Sequence, residues 1–145
     1  MKKGTILFLL LFLAGAVSGL AEDKKSQSQA CSDEESMVAD YQKSLAELVS
    51  TIHKEKLEEF QRAYHHRSCL SKLNLSEGIL DVATACFDQA IKDASTPKKD
   101  IETYRAKRDA YAKLKEKLIQ YRDSLKAKEE AKDAKILIEK FDITN

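Results

Sequence analysis

Past residue 19 this chain contains a single glycine, Gly78, and a single proline, Pro97. These are the two residues that interrupt regular backbone most effectively, so long stretches are left with nothing to break them. Within those stretches charged side chains, 34% of the total, are threaded by apolar ones at spacings of three and four, which is the period of a helix face and not of a strand. The expectation is an all-α protein, a small bundle of three to five helices with a central apolar helix and a long C-terminal one. At 145 residues and 43% hydrophobic content it makes one domain with a modest core.

Residues 1–21 read as a secretory signal. Lys2 and Lys3 form a basic start, Ile6 to Val17 an apolar run, and Gly19-Leu20-Ala21 a small-x-small cleavage site. The run is shorter than the roughly 20 residues a bilayer span requires, so a cleaved leader and a secreted, extracellular product without a membrane span are expected. Residues 22–31 lack apolar periodicity and read as a mobile tail, leaving 32–145 as a single helical domain.

Ser32 followed by Glu35 has the form of a capping box, and Asp33, Glu34 and Glu35 favour the positive end of a helix dipole. Met37, Tyr41, Leu45, Leu48 and Ile52 continue a stripe that slips in phase near His53 and resumes at Leu57, Phe60 and Tyr64. The reading is one bent helix ending near His66. A short helical turn through Cys69 and Leu73, a connection over Asn74 to Gly78, and a helix capped by Ser76 follow. That helix holds Ile79, Leu80, Val82, Ala83, Phe87 and Ile91, the densest apolar segment, and is expected to be buried on more than one side with Phe87 at its heart. Thr96 as N-cap and Pro97 at the first helical position mark a clear boundary. From there Tyr104, Tyr111, Leu118 and Leu125 repeat every seven residues, and the stripe changes phase near Lys126. Lys107 and Lys128 fall on that seam, which favours an intramolecular bundle and a monomer over a coiled-coil oligomer.

Three cysteines allow one intrachain bridge. A continuous helix over residues 33–64 would be nearly 50 Å long at ~1.5 Å per residue and would hold Cys31 far from Cys69, whereas a bridge needs Cα atoms within about 7 Å. The expected pair is therefore Cys69–Cys86, closing a loop over Asn74 to Gly78, with Cys31 free or joined to another molecule. A Cys31–Cys86 bridge requires the first helix to fold sharply back. Asn74-Leu75-Ser76 is a sequon, making Asn74 a glycosylation candidate in a surface loop.

His65 and His66 with His53 or Cys69 would be the metal candidates, but neighbours on a helix point about 100° apart, and no zinc-protease spacing is present. No nucleophile elbow, phosphate loop or Cys–His frame is legible. No enzyme, cofactor or metal is expected, and lysines alternating with acids in an exported chain argue against nucleic acid.

Charge is unevenly placed. Residues 22–60 hold five Lys/Arg against ten Asp/Glu, and residues 98–135 thirteen against eight, so the first and last long helices are expected to pack side by side. The surplus on the last helix, at Arg105, Lys107, Arg108, Lys113, Lys115 and Lys117, is the candidate partner-binding basic face.

The run His53-Lys-Glu-Lys-Leu-Glu-Glu-Phe-Gln-Arg-Ala-Tyr-His-His-Arg-Ser-Cys69, followed by Ile79-Leu-Asp-Val-Ala-Thr-Ala-Cys86-Phe, resembles the small helical salivary proteins of anopheline mosquitoes, the anophensin, hamadarin and albicin group. The resemblance implies a non-enzymatic inhibitor of host plasma cascades, acting on the alternative-pathway complement convertase or on contact activation and coagulation. Gln61-Arg62-Ala63-Tyr64 is similar to an element of lysozyme-inhibitor-type periplasmic proteins, though here Cys69 follows it too closely. The alternative of another class is a helical carrier of small apolar ligands, which would need a cavity lined from several helices.

Overall fold

The computed structural model describes residues 30–54 and 56–139; the expected leader and nearly all of the expected tail lie outside them. Among the described residues there are four helices and no strand: α1 (Ser32–Lys54), α2 (Glu59–Lys92), α3 (Lys98–Lys126) and α4 (Ala131–Glu139). None is long and apolar enough to cross a membrane. The fold is the all-α bundle that the periodicity calls for, with α2 at its centre and the other three helices packed around it.

The phase slip near His53 is a chain reversal rather than a bend. Helix α1 stops at Lys54, Leu57 turns inward and is buried, and α2 starts at Glu59, where the Glu58 N–H donates to Gln61 Oε1 at 2.8 Å. The Arg62 guanidinium donates to the Leu57 carbonyl at 2.7 Å and ties the turn to the first turn of α2. The two helices then run antiparallel, so Val38, Tyr41, Leu45, Val49 and Ile52 of α1 meet the inner face of α2.

Helix α2 runs straight through the expected connection at Asn74 to Gly78. Its buried residues Cys69, Leu73, Ser76, Leu80, Ala83 and Phe87 step by four and three without a slip, so one continuous face is anchored on both sides of the glycine. Ser76 caps nothing; its hydroxyl is buried and donates to the Leu73 carbonyl at 2.7 Å. A helical glycine costs about 1 kcal/mol relative to alanine, which is small beside the burial of Leu73 and Leu80. Buried apolar side chains stabilise by roughly 1.5–3 kcal/mol each.

The boundary at Pro97 stands where expected, one residue later in detail. Pro97 is the N-cap of α3, and the Thr96 hydroxyl donates back to the Ala90 carbonyl at 2.7 Å, closing α2 instead of opening α3. The phase change near Lys126 is also physical: α3 ends there, and after a short turn α4 lays Ala134 and Ile138 against α1 and α2. Phe141, which continues this stripe in the sequence, lies outside the described residues.

Two apolar clusters result. The larger is built from α1, the middle of α2, Leu118, Tyr121 and Leu125 of α3, and α4. The smaller sits at the far end and joins Cys31, Phe87 and Tyr104. Phe87 is fully buried there, its ring 5.7 Å from that of Tyr104 and 5.9 Å from that of Tyr111. The segment around it is not enclosed on all sides, because Val82 remains 53% exposed.

The cysteine pairing differs from the expected one. The bond is Cys31–Cys86, with Cα atoms 5.8 Å apart, and Cys69 is the free thiol. Cys69 and Cys86 lie on one uninterrupted helix, 17 residues and about 25 Å apart along its axis, so they cannot meet. The early end of α1 is what folds Cys86 back beside Cys31.

Candidate protein-binding surfaces

The six cations proposed as one basic face diverge on the helix. At about 100° per residue, Arg105 and Lys113 lie about 80° apart on the outer side, Arg108 and Lys115 point toward α2, and Lys107 points the other way, toward α1. Lys107 pairs with Glu35 of α1 and stands 5.9 Å above the Phe87 ring. Arg108 pairs with Asp88 at 3.2 Å and with Asp109 at 2.7 Å, and both contacts hold its guanidinium above its ordinary pKa. Lys115 meets Asp81 and, at 4.0 Å, Glu77, and Arg122 adds a second contact to Glu77 at 3.4 Å. Half of the candidate face is thus spent on acids within the molecule. Arg105 and Lys113 remain exposed, and Lys117 is half-buried.

These contacts also revise the charge argument. The acids that α3 answers are mainly Glu77, Asp81 and Asp88 on α2, because α3 lies along α2. Between α1 and α3 the opposition of charge that the sequence suggested is carried by the Lys107–Glu35 pair. Between α2 and α3 an open groove of about 440 Å³ is lined by Asp81, Thr84, Asp88, Arg108, Lys115 and Glu116. Apart from Thr84 and Ala112 every residue around it carries charge, unlike an apolar carrier site.

Among the described residues, four of the five large apolar side chains that stay exposed lie on α2: Phe60 at 72%, Tyr64 at 61%, Leu75 at 60% and Val82 at 53%; the fifth is Ile136 of α4. At helical spacing these four fall within about 60° of one another, on the side opposite Cys69, Leu80 and Phe87. Arg67, Ser71, Gly78, Ala85 and Gln89 complete the stripe. A Cβ placed on Gly78 would meet nothing within 4 Å. Phe60 and Tyr64, expected to continue the buried stripe of the first helix, and Val82, expected inside the enclosed helix, face outward instead, because the reversal after Lys54 starts a new helix whose core face runs through Cys69, Leu73 and Leu80; the signal was their placement a half-turn away from those core positions. Asn74, the sequon asparagine, is exposed on the helix beside Leu75, and not in a loop.

The remaining candidates assemble no site. His66 Nε2 lies 3.3 Å from the Leu125 carbonyl oxygen, and His65 Nδ1 is buried without a hydrogen-bond partner beneath α4, in a tight space shared with Ile52, Leu57, Arg62, His66 and Lys135. The two rings serve separate packing contacts. Glu34 lies close to the sulfurs of Cys31 and Cys86, but those sulfurs are bonded to each other and offer no thiolate to a metal. Cys69 is fully buried, and desolvation pushes its thiol up to about 12. Tyr41, whose hydroxyl donates to the Lys72 carbonyl at 3.1 Å, is raised by the same cause to about 12.

No known protein family, no curated protein and no solved structure matches this chain.

Proposed function

We propose that this chain is a secreted, non-enzymatic protein that acts by binding an extracellular protein partner. The observation that carries this reading over a carrier of apolar ligands is how the molecule uses its space. Leu45, Leu73, Leu80, Phe87, Leu118 and Leu125 fill the interior against one another, and the large groove between α2 and α3 is ionic. Among the described residues neither place offers apolar cargo a cavity, whereas a charged, helical outer surface suits a macromolecule. The Cys31–Cys86 bond supports an oxidising compartment, in line with the leader.

The target class comes from the resemblance to anopheline salivary proteins: a component of the complement convertase or of the contact and coagulation system. Of the six cations first considered, Arg105 and Lys113 are the exposed pair on α3, and they are the ones proposed to meet the target. A cationic contact of this kind accelerates encounter with an acidic surface and weakens with salt. The test is inhibition of complement lysis and of contact-initiated clotting by the purified protein. The Arg105→Glu/Lys113→Glu variant should lose inhibition by about tenfold or more at unchanged helicity. Full activity in that variant would place the contact elsewhere, and a wild-type protein inert in both assays would remove the inhibitor reading.

A further inference from the structure

We propose that the outer face of α2 is a self-association surface, covered by α2 of a second copy of this chain in an antiparallel helix pair. This goes beyond the binding function above and does not use Arg105 or Lys113.

Phe60, Tyr64, Leu75 and Val82 are each more than half exposed, in a chain whose other outward helix faces are dense with charge. From Phe60 to Gln89 the stripe runs about 44 Å along the helix and includes one charged side chain, Arg67. Within it Tyr64, Ser71, Gly78 and Ala85 recur every seven residues, with Leu75, Val82 and Gln89 four residues beyond the last three. This is the seam spacing of a helix that pairs with another helix.

The occupant follows from size and charge. Two copies of α2 related by a two-fold axis, antiparallel and crossing between Asn74 and Leu75, place Tyr64 against Ala85 and Ser71 against Gly78. Each large side chain meets a small one, and the open space over Gly78 lets the backbones approach. The same axis preserves the flanks of the seam, so Arg67 and Asp81, which lie on one flank, face each other across the pair twice. Asp81 keeps a side chain that is 55% exposed even with Lys115 beside it, so its carboxylate can accept a second cation. A parallel pair would instead set Tyr64 on Tyr64 and, because its two-fold exchanges the flanks, put the Arg67 of one copy and the Asp81 of the other on opposite sides of the seam. Covering the two aromatic side chains of both copies removes on the order of 500 Å². That is a substantial part of the ~1,200–2,000 Å² of a stable interface, with Leu75, Val82 and the intervening turns to supply the rest. Isologous two-fold contacts of this kind are the commonest way for a chain to cover such a face.

The experiment is sedimentation of the full chain, made in a host that adds no N-glycan at Asn74, at tens of micromolar. The wild type should sediment as a dimer, and Leu75→Glu should raise its dissociation constant by about tenfold or more with helicity and Tm preserved. The decisive arm is mixing. Arg67→Asp and Asp81→Arg each put like charges at both flank contacts and should dimerise weakly alone, but an equimolar mixture restores both opposite-charge contacts and should recover wild-type association. A wild type that stays monomeric overturns the proposal, as does a dimer indifferent to Leu75→Glu. A mixture no tighter than its components overturns the antiparallel register. A monomer whose plasma-target binding is lost in Leu75→Glu would assign the face to the target instead, while failure of the complement and clotting assays leaves the dimer test unaffected.

Discussion

Cys69 illustrates how position decides chemistry for a single residue. It is the unpaired cysteine, yet burial pushes its thiol up to about 12, and the thiolate is the reactive form. Thiol reagents at pH 8 should therefore leave the native protein unmodified and label one site once it is denatured; rapid native labelling would show that Cys69 is reached from solvent. Because its folded pKa, like that of Tyr41, is raised above the unfolded value, the unfolded chain releases protons first. That stability is intact below about pH 9 and is lost as pH rises toward 12, so urea midpoints should fall over this window. Phe87, enclosed by the disulfide, Tyr104 and Tyr111, should cost about 3–5 kcal/mol when cut to alanine. Gly78 should behave oppositely. It sits in a helix interior with open space around it, so Gly78→Ala should stabilise the chain by about 1 kcal/mol, measured as a higher Tm. A destabilised variant would mean that the helix is interrupted there.

At the scale of elements, the helix boundaries were legible wherever a local chemical reason existed. Thr96 and Pro97 announced the end of α2, the phase change near Lys126 announced the end of α3, and Ser32 opened α1. The slip near His53 was visible too, but periodicity alone does not separate a bend from a reversal; the inward turn of Leu57 does. Gly78 misled in the other direction. A lone glycine beside a sequon reads as a loop, while the unbroken step through Leu73, Ser76, Leu80 and Ala83 carries the helix across it. Both errors converge on the disulfide, since a longer α1 and an interrupted α2 make Cys69–Cys86 the only short link. The bond that forms spans 55 residues and closes the α1–α2 hairpin. On chain entropy its removal by Cys31→Ser/Cys86→Ser should cost on the order of 4 kcal/mol, read from denaturant midpoints. Cys31 also holds a φ of 67°, a strained conformation for a residue with a Cβ, which offsets part of that gain. Non-reducing peptide maps should contain a Cys31–Cys86 peptide, and a Cys69 cross-link would contradict the hairpin.

For the whole molecule, the ion pairs from α3 to α2 lie at the surface, where such contacts add little to stability, so they orient the helices more than they hold them. Adhesion comes from the larger apolar cluster, while the smaller cluster and the disulfide fasten the opposite end. This division explains which functional expectations survive contact with the fold. The helical class depends on local order along the chain, and the all-α architecture follows from spacing that any packing would have to respect. The basic face did not follow, because Lys107, Arg108 and Lys115 are adjacent to acids only through tertiary contact, and nothing in their own neighbourhood reveals Glu35, Asp88 or Asp81. The apolar face of α2 was likewise written in the spacing of Phe60, Tyr64, Leu75 and Val82, but only the packing of α1, α3 and α4 on the other side of that helix decided that these four would be the ones left facing water. By itself the sequence determined that the chain is helical, because period and breaker scarcity act within a few residues. Which cysteines bond, which cations are spent and which apolar stripe stays open were decided by the tertiary structure, because each depends on where a chain reversal four residues long sends the next helix.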